Sequence, residues 1–262
     1  MNRTIAYGCQ REVLALNALK MLFLVGVGLL LLSANKVSAD DKPAHGFLDV
    51  IYKDADGKEA KYVVFVPKGY TGDKAYPLIL FLHGSGETGT DGKKQAEVGL
   101  GKAIRAQEDS FPFIAVFPQS QKRNWQATSE DGKRALAILD EVEKNYKVDK
   151  KKVYLTGLSM GGYGTWSFAA AFPDRWAAIV PICGFGDSKS VEKIKNIPCW
   201  CFHGEADKAV NVEMSRKIIK ALKDAGAKEV EYTEYPGVGH NSWDKAYATK
   251  ELYDWLLKHE LK

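Results

Sequence analysis

The chain has 262 residues, 45% of them hydrophobic and 11% aromatic, which is enough for one sizeable core. Its formal charge of +4 owes much to the N-terminus. Without residues 1–39, which hold four basic side chains (Arg3, Arg11, Lys20, Lys36) and one acidic one (Glu12), 37 and 33 become 33 and 32, a net +1. Scattered lysines and glutamates at near neutrality exclude a nucleic-acid or acidic-membrane partner.

Residues 1–39 read as a secretory leader. A basic segment precedes the uncharged run Met21–Leu32, and Val37-Ser38-Ala39 offers small residues for cleavage before Asp40. The run is short of the roughly 20 residues that span a bilayer. The expectation is a signal peptide over 1–39, cut after Ala39, with an uncleaved anchor as the alternative. After the cut, one catalytic domain over 40–262 remains, secreted or periplasmic, without stable membrane association.

Strands are expected at Phe47–Lys53 and Glu59–Val66, joined by the turn Asp54-Ala55-Asp56-Gly57. Pro77–Leu82 is continuously apolar, as suits a strand buried on both faces of a parallel sheet. It ends in His83-Gly84-Ser85-Gly86-Glu87-Thr88-Gly89. A helix around Gln95–Gln107, a strand Phe113–Phe117 and a helix Asp131–Tyr146 follow, the last from the spacing of Ala135, Leu136, Leu139 and Val142. Then come the strand Val153–Thr156, the helix Tyr163–Ala171, and strands Trp176–Ile182 and Ile197–Phe202. A helix Glu213–Ala225, a strand Val230–Tyr235 and a helix Asp244–His259 complete the chain. Such alternation means an α/β fold, a mostly parallel doubly wound sheet of about eight strands with helices on both faces. Only residues 184–196 separate two of those strands, with room for a short helix (Ser190–Lys195) but not for a lid domain.

The chain is organised around Gly157-Leu158-Ser159-Met160-Gly161-Gly162, set between a predicted strand and a predicted helix. This is G-x-S-x-G in the strand–turn–helix context that lifts a serine above the sheet as a nucleophile. Gly157, Gly161 and Gly162 keep the strand and helix close; the bland reading is a glycine-rich turn with an idle serine. A nucleophilic serine needs a base and a group to orient that base. Of five histidines, His45 precedes the first strand and His259 lies on the last helix; His83 and His203 end strands before glycines. His240, in Pro236-Gly237-Val238-Gly239-His240-Asn241, follows the last strand and is the expected base. Asp207, in His203-Gly204-Glu205-Ala206-Asp207, is the expected orienting carboxylate, with Glu205 and Asp187 as alternatives. The oxyanion donors are expected to be the N–H of Met160, at the positive end of the following helix, and of Ser85, with Gly86 the alternative.

Trp125 is a candidate substrate contact, and Trp243 is placed behind His240 as packing. Gly84-x-Gly86-x-x-Gly89 imitates a dinucleotide fingerprint, but the following strand ends in Phe117-Pro118-Gln119 and lacks the acidic residue a ribose needs. No His/Asp/Glu cluster has metal-ligand spacing, so neither metal nor cofactor is expected. Cys183, Cys199 and Cys201 fall on predicted buried strands; Cys183 could pair with Cys199 or Cys201 only if their strands are neighbours in suitable geometry.

Over residues 45–262 the chain resembles the α/β-hydrolase superfamily, through Leu82-His83-Gly84-Ser85-Gly86-Glu87, the Ser159 motif, Val180-Pro181-Ile182-Cys183-Gly184, His203-Gly204-Glu205-Ala206-Asp207 and Gly239-His240. It is similar in particular to lidless phospholipase/carboxylesterase-like and prolyl-oligopeptidase-family esterases. The resemblance implies Ser159, Asp207 and His240 as a triad, and hydrolysis of small or polymeric esters, including acyl, feruloyl or acetyl esters of polysaccharides. A serine peptidase and a non-catalytic carbohydrate- or lipid-binding protein are the alternatives.

Overall fold

A computed structural model describes residues 44–262. The expected leader, its cleavage site and Cys9 lie outside the described residues. Eight strands form one sheet: β1 (Gly46–Lys53), β2 (Glu59–Val66), β3 (Tyr76–Leu82), β4 (Ile114–Pro118), β5 (Val148–Leu158), β6 (Ala178–Ile182), β7 (Cys199–Gly204) and β8 (Val230–Tyr235), in the order β1-β2-β4-β3-β5-β6-β7-β8. β1 pairs with β2, and β2 with β4, antiparallel; all pairs from β4 through β8 are parallel. The expected α/β class, strand number and mostly parallel sheet are those observed.

The central strands alternate their side chains between two apolar layers. On one face Leu78, Leu80, Leu82, Val153, Leu155, Ile179, Cys199 and Cys201 pack against α2 (Glu130–Asn145), α3 (Met160–Ala171), α4 (Val191–Ile194) and α5 (Glu213–Asp224). On the other, Ile79, Phe81, Tyr154, Val180, Ile182 and Phe202 pack against α1 (Leu100–Arg105), α6 (Trp243–Ala248) and α7 (Lys250–Leu257). This is why the strands read as continuous apolar runs: neither face meets water.

Cys183 belongs to the second layer, whereas Cys199 and Cys201 belong to the first. Although β6 and β7 are neighbours, the sheet itself stands between Cys183 and the other two, and all three are free buried thiols.

Two helices depart from expectation. The helix expected around Gln95–Gln107 is a 3-10 turn, Lys94–Ala96, followed by α1. Gly99 breaks it with φ +52, and a Cβ there would stand 2.5 Å from Leu158 Cδ2, so a left-handed glycine is needed for the close approach. The single helix expected over Asp244–His259 is split into α6 and α7 by Thr249, whose backbone is extended (φ −71, ψ 108). Its hydroxyl donates back to Lys245 O at 3.1 Å, the local competition by which a threonine bends a helix. Between β6 and β7 the chain makes only a 3-10 turn (Ser188–Ser190) and the one-turn α4.

Candidate active site

Ser159 sits between β5 and α3 with φ 53 and ψ −117, a conformation a non-glycine residue holds only when its surroundings impose it. The surroundings do so through glycines. A Cβ on Gly161 would be 1.8 Å from Leu82 O, on Gly157 2.3 Å from Gly161 O, and on Gly162 2.4 Å from Ile182 O. The Ser159 N–H is tied to Ile182 O at 3.0 Å. The start of α3 is therefore wedged between the ends of β3 and β6, and the serine side chain is pushed above the sheet.

His240 lies on the loop between β8 and α6. Ser159 Oγ is 2.9 Å from His240 Nε2, and His240 Nδ1 is 2.7 Å from Asp207 Oδ2. With Nδ1 donating to the carboxylate, Nε2 is left as the acceptor for the serine hydroxyl, the tautomer a general base requires. Trp243 packs edge-on against the imidazole, with ring centroids 5.3 Å apart at 88°. The Asp207 side chain is fully buried, whereas that of His240 is 28% exposed. Burial opposes the charge on Asp207. The bonds from His240 and from the N–H groups of Val210 and Ala209 (2.9 and 2.8 Å, both to Oδ1) outweigh it and hold the carboxyl below its ordinary range.

The two alternatives for the acid are elsewhere. Glu205 is exposed and accepts from Gly237 N at 2.9 Å; Asp187 caps the turn at Lys189 N, also at 2.9 Å.

Met160 opens α3, so its N–H is among those with no intrahelical acceptor. Ser85 opens a 3-10 turn, Ser85–Glu87, directly beyond β3. A Cβ on Gly84 would lie 2.7 Å from Leu158 Cδ1 and 3.7 Å from Leu158 O, so this turn is packed against the residue preceding Ser159.

Trp125 requires correction. It is 2% exposed, and its indole N–H donates to His83 O at 2.9 Å. It packs behind the loop that carries Ser85 and supports that loop, with almost no surface left for a substrate to touch. The nearest groove begins one helical turn beyond Ser159 and is lined by neither the triad nor the expected oxyanion residues. It has a volume of about 710 Å³ and runs between α3, the loop after β6 and α5, with Tyr163, Phe185, Met214, Lys193 and Lys217 among its walls. Tyr163 is one turn along α3 from Ser159, its N–H donating to Ser159 O at 3.1 Å. Its ring meets Phe185 edge-on at 4.2 Å, and Phe185 and Met214 are 45% and 44% exposed. Sequence reasoning missed this groove. The available signal was Tyr163, four residues after Ser159 on one helix face.

It also missed two buried neighbours of the acid. Cys183 is fully buried with φ 40, and its Sγ lies within 4.8 Å of ligand atoms of Asp207 and His240. Burial pushes its thiol up to about 12, so it is protonated at neutral pH. His203, read as a strand-end turn residue, places Nε2 3.2 Å from Asp207 Oδ2.

The dienelactone hydrolase family model matches residues 58–250. The crystal structure of a thermostable esterase is 36% identical with a TM-score of 0.75, over 82% of this chain and 63% of that one. A bifunctional acetylxylan esterase/xylanase of Neocallimastix patriciarum is 28% identical over 66% of this chain and 25% of its own. A poly(3-hydroxyalkanoate) depolymerase C of Paucimonas lemoignei is 32% identical over 45% of this chain and 30% of its own. The chain thus spans less than a third of these two curated relatives. The feruloyl esterase module from Clostridium thermocellum, 19% identical with a TM-score of 0.62, shares the fold. Among the described residues no helix is long and apolar enough to cross a membrane. With three quarters of its length matched by one family model, on an eight-stranded sheet common to esterases and peptidases, the chain belongs to the dienelactone hydrolase family of α/β hydrolases.

Proposed function

We propose that the protein is a serine carboxylesterase acting through an acyl-enzyme on Ser159. The observation that carries this is the unbroken line from Asp207 Oδ2 through both nitrogens of His240 to Ser159 Oγ, 2.7 and 2.9 Å, at a strained strand–helix turn. In the proposed reaction Ser159 Oγ attacks the ester carbonyl as its proton passes to His240 Nε2. Asp207 holds the imidazole and stabilises the imidazolium. The N–H groups of Met160 and Ser85 receive the oxyanion. His240 then protonates the departing alcohol and activates a water, which releases the acid and restores Ser159.

The substrate class proposed is an acyl, acetyl or feruloyl ester on a polysaccharide. Relatives bearing the names acetylxylan esterase and feruloyl esterase support it, and a groove that starts at Tyr163, one turn of α3 from Ser159, with Phe185 on its wall, offers a place for the rest of a long substrate. An edge-on aromatic pair that is half open to solvent suits the flat face of a sugar or a phenolic ring. The short crossover between β6 and β7 leaves that groove uncovered, as a polymer requires. Secretion, with the leader cut after Ala39, belongs to the same proposal.

The test is hydrolysis of p-nitrophenyl acetate through decanoate and of feruloylated and acetylated xylan, by the protein and by Ser159→Ala. Turnover on esters that vanishes in Ser159→Ala is expected; turnover retained in that variant overturns the assignment. Phe185→Ala is expected to raise KM for the polymeric substrates several-fold while leaving p-nitrophenyl acetate unchanged.

A further inference from the structure

Beneath the acid lies a second imidazole that the reaction above does not use. His203 is the penultimate residue of β7 and its side chain is fully buried, as is that of Asp207 four residues later. Its Nε2 is 3.0 Å from Val210 O and 3.2 Å from Asp207 Oδ2. Both neighbours are acceptors, so Nε2 carries the hydrogen, which is directed to Val210 O and leaves the positive edge of the ring against Asp207 Oδ2. Its Nδ1 is therefore the acceptor, and Ser215 Oγ on α5 stands 2.7 Å from it as donor. Behind Ser215, the Cys201 thiol approaches the same hydroxyl at 3.6 Å.

The arrangement closes a ring around one residue. Asp207 Oδ1 accepts the N–H of Val210 at 2.9 Å, and His203 donates to the carbonyl of that same Val210. The acid loop is thus gripped at both ends of one residue, the Val210 N–H by Asp207 of the loop itself and the Val210 carbonyl by His203 of the strand. Asp207 Oδ2 is left with two imidazole neighbours, His240 and His203, and the carboxylate accepts from Ala209 N, Val210 N and His240 while the His203 ring stands 3.2 Å from its Oδ2. A carboxylate so surrounded can neither rotate nor turn its charge away from His240.

We infer that His203, held in one tautomer by the acceptors at its Nε2, is a positioning residue of the hydrolase: it fixes the rotamer of Asp207 and, by setting its Nε2–H edge against Oδ2, sets how strongly the carboxylate stabilises the His240 imidazolium. This rests on the triad reading of Ser159, Asp207 and His240. A donor aimed at a carboxylate withdraws part of its negative potential from any other partner. Removing the His203 donor therefore leaves Asp207 less well placed but more basic toward His240, and the two effects separate in kinetics. Poorer placement lowers kcat; greater basicity moves the acid limb of kcat/KM, which reports the base in the free enzyme, to higher pH. The other charged or titratable groups around His203 are Cys201 on β7, reached through Ser215, and Glu234 on β8, which pairs in register with His203 and is itself neutralised by Arg216 of α5. None of these supplies a hydrogen to Asp207.

The experiment compares kcat, KM and the pH profile on p-nitrophenyl acetate for the protein, His203→Phe, His203→Gln and Ser159→Ala. Phenylalanine keeps the ring volume and removes the donor. Its kcat is expected to fall roughly 10- to 100-fold, the scale for loss of an outer partner of a functional ligand, with KM little changed. Its acid limb is expected to rise by about half a pH unit. Glutamine places a donor near the imidazole Nε2, and His203→Gln is expected to restore most of kcat and return the limb. A folded His203→Phe whose acid limb stays put overturns the inference whatever happens to kcat, because a merely structural loss moves no limb. A His203→Gln variant no better than His203→Phe overturns it as well. Where His203→Phe does not fold, His203→Leu carries the test: it too lacks the Nε2 hydrogen, and an acid limb identical to that of the parent overturns the inference. Full turnover in Ser159→Ala is the separate result that removes the triad reading itself.

Discussion

At the scale of single residues the site depends on groups with no freedom. Asp207 is the clearest case: its carboxylate is buried, saturated with donors and held below its ordinary range. Asp207→Asn keeps the shape but offers His240 an amide, which favours the wrong tautomer. In the template case such a change costs about 10⁴ in kcat, and a loss of that order is expected here on p-nitrophenyl acetate. Cys183 is the contrary case, a reactive group type made inert. Burial pushes the thiols of Cys183 and Cys201 up to about 12 and that of Cys199 well above its ordinary value. All three are expected to resist a thiol reagent in the native protein and to label on unfolding. Mapping by mass spectrometry checks this; fast native labelling of Cys183 would contradict its burial.

Among elements, the turn between β5 and α3 carries the tightest constraint. A methyl group on Gly161 would meet the backbone oxygen of Leu82 at 1.8 Å, and backbone cannot move aside as a side chain can. Gly161→Ala is expected to destabilise by more than about 4 kcal/mol, or to prevent folding, and thermal unfolding or soluble yield will show it. The loop before α2 is organised differently, by one buried acid. Asp131 accepts from Ser120 Oγ at 2.5 Å, from Gln121 N at 3.0 Å and from Lys122 N at 2.8 Å, and pairs with Arg134. That loop leads to Trp125, which braces the segment bearing Ser85. Asp131→Ala is expected to cost about 3 kcal/mol, the scale for breaking a buried network, as measured by denaturant titration.

For the whole molecule the buried ionisable groups set the response to acid. Burial drives His83 down to about 4 and lowers His203, so both stay neutral in the fold while the unfolded chain takes up their protons below about 6.5. The unfolded state then binds more protons, and stability falls as pH drops from 6.5 toward 4. The shift at His83 alone corresponds to about 3 kcal/mol. Asp131 and Asp207, held below their ordinary range by their donors despite burial, and Asp91, brought to about 2, contribute stability that is present above about 4 and lost further down. The melting temperature is expected to decline in two stages, below about pH 6.5 and again below about pH 4. A flat profile between 6.5 and 4.5 would show that His83 and His203 are not held neutral.

Much of this protein was legible as letters because its signals are local. Continuous apolar runs mark strands covered on both faces, and Glu59–Val66 and Val230–Tyr235 are strands over the very residues expected. Small residues at 157, 161 and 162 mark a turn where backbones touch, and a histidine after the last strand of a parallel sheet is carried to the sheet's carboxyl edge. Chain order alone was enough to single out Ser159, Asp207 and His240 as residues that topology would gather. What required the tertiary structure depends on which groups face each other across the sheet or are covered by it. Trp125 looked like a loop aromatic and is a buried brace; Gly99 and Thr249 broke helices that periodicity ran through, because contacts with Leu158 and with Lys245 outweigh local propensity. Cys183 is kept from Cys199 and Cys201 by the sheet, and His203 meets Asp207 because the chain turns between Gly204 and Asp207 while Val210 bonds to both. Periodicity is a one-dimensional record of burial; it carries no information on which buried polar atom another buried polar atom will find, and only the packed fold decides that.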